Sequence, residues 1–269
     1  EADLIALLHE LFRQNARDID LVVIIDRDAT LGRQVACHDV IGGIDGGVRG
    51  DAGRAAQGGA ADPVAPPLGP GGDEDIGNAK LGHRVTVVDP SPDALASLGR
   101  RARERGVEVA GLQGEVSSLL DVAGADSADL VLCHGVLEHV GDPATALGVL
   151  REAVRPGGTL SLLVAQRHAA VLARAMAGHF GQALALLEPT VDPGRAGHRY
   201  TSDELVALLA TADLHVEQVH GVRVFADLVP GTLLDLEPGS TAALVELEQA
   251  VATRPEYLPL ATQLHVLAR

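Results

Sequence analysis

Val85 to Asp89 reads VTVVD, an aliphatic run that stops on a carboxylate. Open parallel sheets bind ligands beyond the carboxyl ends of their strands, so an acid in that place is set to accept hydrogen bonds from both hydroxyls of a ribose. The same residues also make a good helix entry, because Ser91 supplies a cap and Pro92 a preset φ at the first helical position. Spacing alone leaves both readings of Asp89 standing. The next run, VEVAGL from Val107 to Leu112, leads into Gln113-Gly114-Glu115-Val116. Glu115 is placed there to accept from an adenine amino group while a neighbouring backbone amide meets the ring, although surface turns share this composition. A third run, DLVLCHG, carries His134 at its end, and His139 follows five residues on, the wrong interval for the paired histidines of a helical zinc motif. A single histidine in that position is more often a hydrogen-bonded structural residue than a ligand. Arg155-Pro156-Gly157-Gly158, between a helix and a strand, reads as a turn.

These residues need a scaffold, and the pattern from Gly82 onward supplies one. The runs VTVVD, VEVAGL, DLVLCHG and TLSLLVA (Thr159 to Ala165) alternate with amphipathic stretches starting near Pro92, Ser117 and Pro143. Strands alternating with helices predict an α/β fold, a Rossmann-like doubly wound, mostly parallel sheet with helices on both faces. Further on, Ala169 to Gly178, Ser202 to Ala212 and Ser240 to Thr253 read as helices, and LHVEQVHGVRVF and TQLHVLAR as strands. Upstream, Asp3 to Gln14 has apolar residues at helical spacing, and Leu21 to Ile25 is an aliphatic run bounded by acids. Between Gly42 and Gly72, 11 of 31 residues are Gly and 4 are Pro, which predicts loop or linker. The expected organisation is therefore a helix and strand over 1–41, a Gly/Pro-rich linker over 42–80, and one catalytic-type domain over 81–269.

Bulk composition narrows the function. A net charge of −16 argues against broad attraction to nucleic acid or anionic lipid, leaving only a local basic patch for such contacts. No apolar run is long enough to cross a membrane, and the first residues carry acids where a signal peptide needs a basic region, so a cytoplasmic location is expected. The two cysteines, Cys37 and Cys133, have no His or Cys neighbours at ligand spacing, so neither a disulfide framework nor a metal site is predicted.

From Leu81 to the C-terminus the sequence resembles class I S-adenosylmethionine-dependent methyltransferases. The resemblance is carried by VTVVDPSPDAL, LQGEVSSL, DLVLCHGVLEHV and LREAVRPGGTLSLLV, in that order. ARAMAGHF, HGVRVFADL and the terminal ALVELEQAVATRPEYLPLATQLHVLAR are similar to the bacterial methyltransferases that esterify 5-carboxymethoxyuridine at the tRNA wobble position. The resemblance implies S-adenosylmethionine as cofactor, with Asp89 holding the ribose, Glu115 and Val116 the adenine, and His134 near the methionine moiety. It implies the tRNA anticodon arm as a partner, and Arg223, within GVRVF, as the cation that orients an acceptor carboxylate.

The sequence departs from the family pattern in three places. The family's glycine-rich first strand and loop precede the ribose acid by about twenty residues, where this chain reads PVAPPLGPGGDEDIGNAKLGH. Gly69 and Gly71 fall near the required distance without an apolar strand leading in. Either Leu21 to Asp26 supplies the first strand, with the glycine-rich stretch as an insertion, or the residues before Leu81 derive from a shifted reading frame or wrong start. The family's basic stretch is replaced by a segment with only Arg195, His198 and Arg199 as cations, and the arginines at 100, 101, 103 and 105 read as a solvated helix face. Ala226 stands where the family has histidine. Two other classes fit parts of the pattern: a degenerate methyltransferase-fold binding module, and a nicotinamide-dependent Rossmann enzyme, which lacks its GxGxxG after a strand here.

Overall fold

The computed structural model describes residues 21–26, 83–188, 197–234 and 239–269. The expected helix over Asp3 to Gln14, the Gly42 to Gly72 stretch, and Gly69, Gly71 and Arg195 lie outside the described residues. Seven strands form one sheet: β1 (Leu21–Asp26), β2 (Arg84–Asp89), β3 (Ala110–Gln113), β4 (Ala128–His134), β5 (Val154–Ala165), β6 (Val216–Val222) and β7 (Gln263–Ala268), in the order β3-β2-β1-β4-β5-β7-β6. The pairings make β2, β3, β4, β5 and β6 run one way and β1 and β7 the other. The sheet is thus mostly parallel in direction.

Helices cover both faces, as buried strands require. On one face Val131, Cys133, Leu160, Leu162 and Leu264 pack with Leu147 and Leu150 of α3 (Pro143–Ala153) and Leu205 and Leu209 of α6 (Ser202–Thr211). On the other, Val85, Val87, Leu130 and Leu132 pack with Leu98 of α1 (Pro92–Glu104). The alternation of VTVVD sends Val85 and Val87 to one cluster and Val88 to the other, the period of two that a pleated strand imposes.

Local sequence sets the helix starts. Ser91 Oγ accepts from the Ala94 amide at 3.3 Å, with Pro92 at the first helical position of α1. Asp142 Oδ1 takes the Ala144 and Thr145 amides ahead of Pro143, and the Thr145 hydroxyl holds the Asp142 carboxyl below its usual range. Near Ser117 the expected helix divides into a 3-10 turn over Val116–Ser118 and a short α2 (Leu119–Ala123). The predicted turn at Arg155–Gly158 is a bulge inside β5, where the pairing with β4 slips between Ala128 and Leu130. Gly157 has φ +81, and a Cβ on Gly158 would meet the Asp129 carbonyl at 2.9 Å, so both glycines are required there. The arginine cluster on α1 is solvated except at Arg101, which is only 9% exposed beside Ala102.

The strand over Leu21–Asp26 fills the central slot between β2 and β4, but in reverse. Ile25 is the register partner of Val85 and Leu130, Val22 of Val88 and Cys133. Asp26 is the register partner of Arg84.

Candidate functional site

The carboxyl ends of β2, β3 and β4 lie on one edge of the sheet, and that edge gathers the residues singled out in the sequence. Asp89 closes β2 with Gln113 of β3 as its register partner. Its carboxylate is 5% exposed and Oδ1 accepts from the Ser91 amide at 2.6 Å, so the acid serves as the helix entry that the sequence also allowed. The Gly114 amide donates to the Asp89 carbonyl at 3.3 Å, which ties the turn after β3 to the end of β2. A Cβ at Gly114 would sit 3.1 Å from Ser118 Oγ and 3.3 Å from both Val88 and Val122, so the turn is tightly packed around the glycine. Glu115 follows, exposed, with its amide donating to Ser118 Oγ at 3.1 Å, and Val116 is buried in the core behind it.

His134 ends β4 and is two strand spacings from Asp89, about 10 Å at 4.8 Å per strand. Its Nε2 lies 2.9 Å from Ser161 Oγ, and the same oxygen lies 2.8 Å from His265 Nε2. His220 stacks on His265 with ring centroids 5.7 Å apart. Burial first, then the neighbouring His134 and His220, hold the His265 ring well below the ordinary imidazole range, so it is neutral at pH 7. A serine hydroxyl between two ring nitrogens donates to one and accepts from the other, which couples the tautomers of His134 and His265. This row across β4, β5, β7 and β6 escapes sequence reasoning because its members lie far apart in the chain.

Below His134, Glu138 is buried and its Oε1 accepts from the Ala165 amide at 2.7 Å, joining the loop after β4 to the end of β5. Burial raises its carboxyl pKa, opposed in part by its own and the Ala165 amides and by His139 and Arg199. A carboxyl whose folded pKa lies above its unfolded value contributes stability below that unfolded value, 4.5, and loses it as pH rises through the folded value. Glu138→Gln keeps an acceptor for Ala165 and cannot ionise. The variant is expected to melt with the parent at pH 4.5 and above it at pH 8, and a difference independent of pH would contradict this account.

Arg223 follows β6, which runs parallel to β5, so it stands on the same edge, three strand spacings or about 14 Å across the sheet from His134 and three residues or about 10 Å farther along the strand direction. It has φ +58, a left-handed conformation uncommon for arginine, and its guanidinium pairs with Asp227. Glu217 of β6 pairs with Arg269 at 3.0 Å. His198 and Arg199 line a cavity of about 370 Å³ together with Arg167, Tyr200, Asp142 and Glu204. Arg167 forks onto Glu204 with two 2.7 Å bonds and donates to the Arg199 carbonyl at 3.0 Å. Burial, then the like charge of Arg174, lower the Arg199 pKa.

Residues 67–160 match a family described as a methyltransferase domain. The tRNA 5-carboxymethoxyuridine methyltransferase of Escherichia coli (strain K12) is 30% identical over 202 residues, 74% of this chain and 76% of that protein. The chain belongs to the class I S-adenosylmethionine-dependent methyltransferases. A ubiquinone biosynthesis O-methyltransferase of Xanthomonas campestris pv. campestris (strain B100) is 33% identical over 150 residues, 54% of this chain and 59% of that protein. Among solved structures, an S-adenosylmethionine-dependent methyltransferase from Mesorhizobium loti is 20% identical, covering 68% of this chain and 78% of that one with a TM-score of 0.44.

The methyltransferase takes S-adenosylmethionine as its cofactor, and one side of the edge fits that group. A buried acid at the end of β2, beside a glycine turn closely packed at Gly114, has the chemistry to take a ribose diol and let a flat base approach the backbone. The middle of the edge differs from the family pattern. Because β1 is reversed, the chain leaves it at Asp26, beside Arg84 at the opposite edge, and Leu21 lies opposite His134 where the first strand would otherwise end. Among the described residues no group of His, Cys, Asp and Glu is arranged to hold a metal ion, and no helix is long and apolar enough to cross a membrane.

Proposed function

We propose that this methyltransferase esterifies a carboxylate acceptor, that of 5-carboxymethoxyuridine in a tRNA anticodon arm, in the cytoplasm. The reading is carried by Arg223, a cation held on the same sheet edge as Asp89 and His134 by a fixed left-handed backbone. The Asp89 carboxylate and the Gly114–Val116 turn are assigned the ribose and adenine, and His134 the methionine side. When bound, S-adenosylmethionine supplies a methyl group on a sulfonium centre. A carboxylate acceptor is ionised at neutral pH, so the chain needs no general base and contributes alignment and exclusion of water. A guanidinium presents its N–H donors in a planar fork, the geometry that matches a carboxylate. Arg199, on the wall of the cavity with His198, supports the RNA half of the reading as a cation for a backbone phosphate.

The test is transfer of tritiated methyl from S-adenosylmethionine to a stem-loop RNA bearing 5-carboxymethoxyuridine. The expected product is a base-labile methyl ester on that nucleoside, absent when the loop carries uridine. Label that resists mild base, or that appears only on small hydroxylated acceptors, would overturn the proposal.

A further inference from the structure

The backbone that carries Arg223 is clamped from two directions, and one clamp is a buried carboxylate that the reaction itself does not use. Glu248 lies on α8 (Ser240–Val251), is 1% exposed, and both of its carboxylate oxygens accept from the turn after Arg223. Oε2 accepts from the Val224 amide at 2.9 Å, and Oε1 from the Phe225 and Ala226 amides at 2.8 and 2.7 Å. From the other side Thr262, just before β7, donates through its amide and hydroxyl to the Arg223 carbonyl at 3.3 and 3.1 Å. The same hydroxyl lies 2.7 Å from Asp227 Oδ2, and Asp227 in turn pairs with the Arg223 guanidinium.

A non-glycine residue stays in the left-handed region only where its surroundings over-determine it. Three amides converging on one carboxylate make short bonds, and burial shields them from competing water. Arg223 is fixed before any acceptor arrives, so docking loses less conformational freedom. We propose that Glu248 is the positioning residue of the acceptor site, holding the 223–226 turn so that Arg223 presents its guanidinium at the sheet edge. This rests on the reading that Arg223 receives the acceptor carboxylate.

The experiment compares Glu248→Gln, Thr262→Val, Arg223→Ala and the double variant Glu248→Gln/Arg223→Ala. Each is measured for KM and kcat on the 5-carboxymethoxyuridine stem-loop, for S-adenosylhomocysteine affinity by calorimetry, and for melting temperature. Glu248→Gln is expected to raise the acceptor KM about tenfold with S-adenosylhomocysteine affinity within about twofold, the signature of lost positioning rather than lost fold. Arg223→Ala raises KM at least as far, and the double variant adds nothing further, because both changes remove one interaction. Thr262→Val releases the other clamp and shifts KM in the same direction, and it decides the matter if Glu248→Gln does not fold.

A raised KM in Arg223→Ala with an unchanged KM in Glu248→Gln, or in Thr262→Val if that variant decides, overturns this inference alone. An unchanged KM in Arg223→Ala overturns the carboxylate reading and this inference with it. Equal losses of acceptor and cofactor affinity in Glu248→Gln, additive with Arg223→Ala, would make Glu248 a structural residue only and also overturn it.

Discussion

Asp89→Ala is expected to weaken S-adenosylmethionine binding about a hundredfold, read by equilibrium dialysis with the labelled cofactor. A carboxylate that takes two ribose hydroxyls loses two charge-assisted bonds, each about 1.5 kcal/mol or more, and 1.4 kcal/mol is a factor of ten. The substitution also removes the acceptor of the Ser91 amide at the start of α1, which costs about 1 kcal/mol of stability. Asp89→Asn separates the two effects. Its side-chain oxygen still serves Ser91, so it should fold like the parent and bind with intermediate affinity. A folded Asp89→Ala that binds as tightly as the parent would remove the ribose role from this residue.

The direction of β1 has an equally sharp consequence. Ile25 and Val85 are antiparallel register partners, and such partners lie 4.5–5.5 Å apart at Cα, inside the range a disulfide spans. Ile25→Cys with Val85→Cys, in a Cys37→Ser background, is expected to oxidise completely, losing two titratable thiols. Cys133 is left in place because burial, reinforced by the nearby Glu138 charge, raises its pKa and keeps it an unreactive thiol. Leu21→Cys with Val85→Cys should stay reduced, since four residues of strand separate Leu21 from Ile25, about 13 Å. A parallel strand would reverse the two results.

Much of this architecture is legible in the sequence wherever the burial pattern is local. VTVVD, DLVLCHG and TLSLLVA are strands because each is aliphatic over a length that suits a buried β-strand, and the cap at Ser91 and Pro92 marks the next helix without reference to the rest of the chain. Gln113-Gly114 is equally legible, a turn forced by close packing on Val88. The direction of β1 is not, because LVVII reads alike from either end and only its neighbours decide which way it runs. Glu248 hides for a different reason. In ALVELEQAV a glutamate looks like the solvent side of an amphipathic helix, and the amides that it takes, those of Val224, Phe225 and Ala226, lie more than twenty residues upstream. Arg101 is misread the same way, and the histidines at 134, 220 and 265 meet only because β4, β5, β7 and β6 are neighbours. Arg223 is legible as a cation, but LHVEQVHGVRVF reads as one strand through it, whereas β6 stops at Val222 and Arg223 takes a left-handed backbone after it.

The measurement that bears most directly on the whole account is calorimetric titration of S-adenosylhomocysteine into the intact chain. The acid and glycine turn at the ends of β2 and β3 predict a single site with micromolar affinity, despite the reversed strand beside them. A cooperatively melting protein that gives no heat of binding would show that the reversed β1 has removed the cofactor site, and that the chain keeps the methyltransferase sheet without its chemistry.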